Sequence, residues 1–94
     1  MTDKRPSMRQ TTLLIRNRLG LHARPAALFV QTANQFRSEI EVCKGREKVN
    51  GKSIMGIMTL AAGRGSAIHI QAKGPDAAEA IASLTKLIRS NFGE

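Results

Sequence analysis

Pro25 stands where two incompatible residue patterns meet, and it limits what the surrounding chain can become. Upstream, from Thr11 to Asn17, the residues Thr11, Leu13 and Ile15 alternate with Thr12, Leu14 and Arg16. That is the period of a strand with one apolar face. Downstream, Ala26, Phe29, Val30, Ala33 and Phe36 recur at three- and four-residue spacing, the stripe of an amphipathic helix reaching about Phe36. Proline fits a helix only in its first turn, where its missing N–H has no partner to lose. The helix therefore starts near Ala23, and His22 falls at or beside its N-cap. A strand hands over to a helix within Gly20-Leu21-His22-Ala23-Arg24-Pro25-Ala26, with a histidine at the hand-over.

The residue types there share a chemistry. The first amides of a helix have no intrahelical partner and lie at the positive end of the macrodipole, so they suit an anion such as phosphate. An imidazole titrates near neutral pH and has a nucleophilic nitrogen to offer a phosphoryl group. A phosphoryl group brings about −1.5 to −2 charges and three acceptor oxygens. Arg24 can meet these with a bidentate fork that lysine lacks. Gly20 permits a sharp turn or a close approach. Spacing alone leaves a plainer reading open, in which His22 caps a helix and Arg24 is a solvated charge.

The rest of the chain alternates between the same two periods. Residues 1–9 read as a basic flexible tail, and 10–94 as a single domain. Ser38 to Lys44 forms a strand with Ile40 and Val42 inward, turning at Gly45 into a short strand from Arg46 to Asn50. Ser53 opens a short apolar helix over Ile54 to Leu60 as its N-cap. Ala67 to Ala72 is a strand with Ile68 and Ile70 inward and His69 outward. Asp76 followed by Glu79 resembles a capping box for a last helix that carries Ala77, Ile81, Leu84, Leu87 and Ile88 on one face. The order βαββαβα, with one apolar face per element, predicts an α+β fold. Its form is an open-faced β-sandwich, a four-stranded antiparallel sheet with three helices on one face.

Composition removes several function classes. The chain of 94 residues has no apolar run near the length of a membrane span, so no membrane insertion is expected. Its opening residues lack the apolar core of a secretory signal, and the single cysteine, Cys43, fits a reducing cytoplasm. Basic residues outnumber acidic ones 15 to 7, a net charge of +8, which favours acidic partners. The order strand-helix-strand-strand-helix-strand also occurs in RNA-binding domains, which stack bases on strand aromatics. Here the three aromatics are all Phe and none falls in a strand pattern, so nucleic acid is not an expected partner. Neither His69 nor Cys43 has neighbours at metal-ligand spacing. No metal or cofactor is called for, and no Gly-rich phosphate loop, carboxylate pair or serine triad is present.

Two further features have a structural and a functional reading. Ser53 is a helix N-cap, and phosphate at such a position is also electrostatically favoured. Met55 and Met58, beside Ile54 and Ile57, either fill the core or form an apolar docking patch.

Taken together, Gly20 to Ala26 and Asn50-Gly51-Lys52-Ser53-Ile54-Met55-Gly56-Ile57-Met58 resemble the active-site and regulatory-serine segments of the HPr family. These are the histidine-containing phosphocarriers of the bacterial phosphotransferase system. The resemblance extends over roughly Gln10 to Phe92. It implies that His22 accepts a phosphoryl group on Nδ1 from enzyme I and passes it to an EIIA-type protein. Arg24 and the backbone amides of Ala23 and Arg24 would steady that group. Ser53 would be the target of an HPr kinase/phosphorylase where the host has one, and Leu21, Ile54, Met55 and Met58 would form the docking surface. Such a carrier is a phosphohistidine intermediate rather than an enzyme, and a monomer suits it. Leu19-Gly20-Leu21 and the ending Ile88 to Glu94 also resemble the nitrogen-related branch, NPr, whereas the Ser53 segment resembles HPr proper. The high positive charge, the leading tail, and Gln31 and Asn34 on the first helix depart from the family pattern.

Overall fold

The computed structural model describes residues 7–94. Four strands and three helices follow in the order β1 (Ser7–Leu14), α1 (Ala23–Ala33), β2 (Glu39–Lys44), β3 (Glu47–Asn50), α2 (Ile54–Thr59), β4 (Ala67–Gly74) and α3 (Ala77–Arg89). A 3-10 turn over Asn91–Gly93 closes the chain. The sheet order is β1-β4-β2-β3, and every neighbouring pair is antiparallel. Because directly paired residues share a face, Leu13 opposite Ile68 and Val42 opposite Ile70 and Val49 put one apolar surface under the helices. Phe29, Ile57, Leu84 and Phe92 close over it from α1, α2, α3 and the last turn, all buried. Each such side chain contributes about 1.5–3 kcal/mol on leaving water. The expected open-faced sandwich is the fold.

The other sheet face is polar. His69, Cys43 and Lys48 are cross-strand partners there, and Thr12 completes the row. The His69 ring lies 3.0 Å from both Thr12 Oγ1 and Gln10 Oε1, a structural histidine with both nitrogens occupied.

Several boundaries differ from the sequence expectation. The first strand begins at Ser7 and ends at Leu14, not Thr11 to Asn17. Ser7, Met8 and Arg9, expected in the tail, pair with Gly74, Lys73 and Ala72, because β4 runs two residues past its expected end and offers them partners. The remainder of that tail lies outside the described residues. The first helix stops at Ala33; Gln35 and Phe36 instead donate to carbonyls three residues back, Thr32 and Ala33. Asp76 does not cap α3 with its side chain. Its carboxylate accepts from the Arg37 N–H (2.9 Å), the Ser38 N–H (2.9 Å) and the Ser38 hydroxyl (2.6 Å), tying the α1–β2 loop to the start of α3. The Ser38 hydroxyl, then the Arg37 amide, lower the Asp76 pKa from 3.8 to about 2.

Candidate functional site

The site is assembled where the loop after β1 meets the start of α1. Gly20 has φ +68°, and a Cβ there would lie 2.3 Å from the Ala62 carbonyl oxygen. Only glycine lets the loop pass so near residues 62 and 63. The next residue is fixed on the same wall, since the Leu21 N–H donates to Ala62 O at 2.9 Å. On the other side of the loop the buried Asn17 side chain donates from Nδ2 to Gly20 O at 2.7 Å. The loop before the histidine is thus held from both sides.

His22 occupies the N-cap position of α1 with extended backbone (φ −77°, ψ −170°), but its side chain makes no capping hydrogen bond. The imidazole is therefore not spent on the helix end. Ala26 N–H bonds His22 O at 2.9 Å and Pro25 has no N–H. The amides of Ala23 and Arg24 therefore remain at the helix mouth without intrahelical partners.

A carboxylate already sits at this mouth. Glu94 Oε2 lies 3.5 Å from His22 Nε2 and 3.5 Å from Arg24 Nη1. Its other oxygen, Oε1, is 3.5 Å from Asn17 Nδ2. The side chains are 36% exposed at His22, 61% at Arg24 and 29% at Glu94, so water screens these pairs and each is weak. Nε2 is the ring nitrogen that faces this carboxylate, in an ion-pair contact and not a hydrogen bond. Among the described residues Nδ1 has no hydrogen-bond partner.

Glu94 reaches the site because Phe92 is buried with its backbone in the left-handed region, φ +56°. The turn is pinned by Gly93 N–H to Ser90 O (3.0 Å) and Glu94 N–H to Asn91 O (2.9 Å). Sequence reasoning did not reach either residue. The available signal was Phe92 itself, a large apolar side chain beyond the last helical stripe.

The second motif lies on α2. Ser53 is its N-cap, and its hydroxyl accepts from the Gly56 N–H at 3.0 Å. Ile57 and the C-cap Leu60 are buried, whereas Ile54 and Met58 are exposed and Met55 is 71% exposed. Met58 borders the same shallow depression as His22, about 270 Å³ in volume and also lined by Leu19, Leu21, Ala61, Ala62 and Gly63. Ser53, Ile54 and Met55 lie outside it. Leu21, expected on the docking surface, is a core residue at 4% exposure, its backbone drawn inward by the bond to Ala62. The exposed apolar residue of that loop is Leu19, at 66%.

No group of three or more metal-ligating side chains occurs among the described residues, and no helix there is long and apolar enough to cross a membrane.

Comparison with known proteins places this geometry. Residues 9–90 match the family described as the PTS HPr component phosphorylation site. Phosphocarrier protein HPr of Neisseria meningitidis serogroup A is 52% identical over 87 residues, covering 93% of this chain and 98% of that protein. HPr-like protein Crh of Bacillus subtilis is 45% identical over 82 residues, covering 87% and 96%. A crystal structure of HPr from Thermoanaerobacter tengcongensis superposes with a TM-score of 0.89 at 55% identity, covering 92% and 97%.

Proposed function

The chain belongs to the HPr family, the phosphocarriers of the phosphoenolpyruvate-dependent phosphotransferase system, and on that premise we propose that His22 is the residue that carries the phosphoryl group. The observation that carries this reading is the convergence of His22 Nε2 and Arg24 Nη1 on one carboxylate oxygen at the mouth of α1. A helix mouth where a histidine and a guanidinium already face an anion suits a phosphoryl group as well.

In the first transfer the Nδ1 lone pair attacks the phosphorus of phosphorylated enzyme I. The new N–P bond forms as the donor's N–P bond breaks, and the electron pair of that bond returns to the donor imidazole. No proton leaves Nε2. Arg24 and the amides of Ala23 and Arg24 then face the phosphoryl oxygens, while the Glu94 carboxylate is repelled and swings away. In the second transfer an EIIA-type protein takes the group by the same displacement. A helix terminus stabilises such a charge by about 0.3–1 kcal/mol, up to ~2 kcal/mol when partly buried. That holds the intermediate without trapping it.

Docking falls to the exposed Leu19 and Met58, which share a depression with the histidine, and to Ile54 and Met55 on the same helix as Met58. Methionines suit a surface that meets more than one partner. Ser53, at the start of the same helix, is the regulatory phosphorylation site where an HPr kinase/phosphorylase is present. Phosphate there adds charge and a desolvation cost beside the docking residues and slows enzyme I. The carrier works as a monomer diffusing between partners.

Intact mass after incubation with enzyme I and phosphoenolpyruvate tests the acceptor. One acid-labile phosphate on the wild type and none on His22→Ala is the expected result. A phosphate that persists on His22→Ala overturns it.

A further inference from the structure

The wall against which the histidine loop is fixed has its own fastening. Lys44, the last residue of β2, reaches from the inner side of the sheet to the C-terminal end of α2. Its Nζ lies 3.2 Å from the carbonyl oxygen of Leu60 and 3.2 Å from that of Ala61. Leu60 is the C-cap of α2 and Ala61 the residue after it, where backbone oxygens lack intrahelical donors and the helix dipole is negative, so a cation there is doubly favoured. Ala61 is in the left-handed region, φ +49°, which residues with a Cβ enter at a cost and glycine enters freely. The adjacent Ala62 carbonyl holds Leu21, the residue before His22, and crowds Gly20.

We propose that Lys44 is a positioning residue for phosphoryl transfer: by bonding two carbonyls it holds Ala61 in its unfavourable conformation, and so keeps the wall that aims His22. The inference rests on His22 as the acceptor. Without Lys44, Ala61 relaxes toward negative φ, Ala62 O moves, and the Leu21 N–H loses its partner. The histidine is then less well aligned with an incoming phosphorus, although no atom of Lys44 touches the reacting group. A shift of ~1 Å at a reacting centre can cost as much as a hundredfold in rate.

The idea has a specific signature, because glycine at position 61 needs no lysine to hold it. Phosphorylation by enzyme I and phosphoenolpyruvate is followed for wild type, Lys44→Met, Lys44→Arg and the double variant Lys44→Met/Ala61→Gly. Hydrogen exchange of the Leu21 amide is measured in parallel. Lys44→Met as substrate is expected to lower the kcat of enzyme I about tenfold with its KM for the carrier little changed, and to speed Leu21 exchange. Lys44→Arg restores most of the rate, and so does Ala61→Gly in the Lys44→Met background. If Lys44→Met does not fold, Lys44→Gln takes its place with the same expectations.

Wild-type kcat and Leu21 protection in Lys44→Met would overturn the proposal. So would a loss that Ala61→Gly does not repair, or a rise in KM alone, which would make Lys44 a docking contact. Failure of the wild type itself to take phosphate on His22 would instead sink the underlying reading.

Discussion

His22 and Arg24 are placed by local chemistry, whereas Glu94 reaches them from the far end of the described chain through the turn that Phe92 anchors. The Glu94 carboxylate faces Nε2, the nitrogen opposite the proposed phosphoryl position on Nδ1, and its charge opposes a second anion at the same helix mouth. Glu94→Gln keeps the shape of the side chain and removes the charge. Exposed pairs of this kind are worth up to about 1 kcal/mol, so the equilibrium fraction phosphorylated against a limiting enzyme I/phosphoenolpyruvate buffer should favour the variant by up to about fivefold. Lower occupancy in Glu94→Gln would mean that the carboxylate supports the phosphorylated state. His22 was legible in the sequence because Pro25 fits only a first turn. Glu94 was not, because no periodicity reports where a chain folds back after its last helix. Leu19 and Leu21 illustrate the same limit: both are leucines in one loop, and only the Leu21–Ala62 hydrogen bond decides which is buried.

Among the elements, the short α2 depends most on its cap. Ser53→Ala removes the bond to the Gly56 amide and should cost about 0.5–2 kcal/mol in denaturant unfolding. Ser53→Asp keeps an oxygen acceptor at that place and adds charge beside Ile54 and Met55. It should fold as well as wild type yet accept phosphate from enzyme I about tenfold more slowly, equivalent to roughly 1.4 kcal/mol. An unchanged rate would remove the inhibitory role of charge at Ser53.

At α3 the relevant bond is long-range. Asp76 and Glu79 read as a capping box from four neighbouring residues, but the carboxylate is satisfied by Arg37 and Ser38 instead. Such partners are invisible to local pattern. Because the folded-state pKa of Asp76 is lowered from 3.8 to about 2, its contribution is present above 3.8 and lost as pH falls through about 2. Wild type should therefore be more stable than Asp76→Asn at neutral pH. Unfolding curves should show that difference shrinking as pH falls from about 4 to about 2. A difference independent of pH would show that the charge plays no part.

For the molecule as a whole, a net charge of +8 on 94 residues favours encounter with acidic proteins. Screening acts over about 8–10 Å at physiological salt, so the KM of enzyme I for this carrier should rise with ionic strength while kcat stays nearly constant. A KM indifferent to salt would assign docking to the apolar patch alone. The architecture was legible because every strand and long helix has one apolar face, which leaves a one-sided sandwich as the economical packing. The ends of the elements were not, since β1 extends to Ser7 only where β4 offers it a partner.

The most direct measurement is nuclear magnetic resonance of the phosphorylated protein labelled with 15N in its histidines. Phosphorus coupled to Nδ1 of His22, with Nε2 still protonated and His69 unchanged, is the expected result. Phosphorus on Nε2 of His22, or on His69, would contradict the proposal that the phosphoryl group goes to the His22 nitrogen turned away from Glu94.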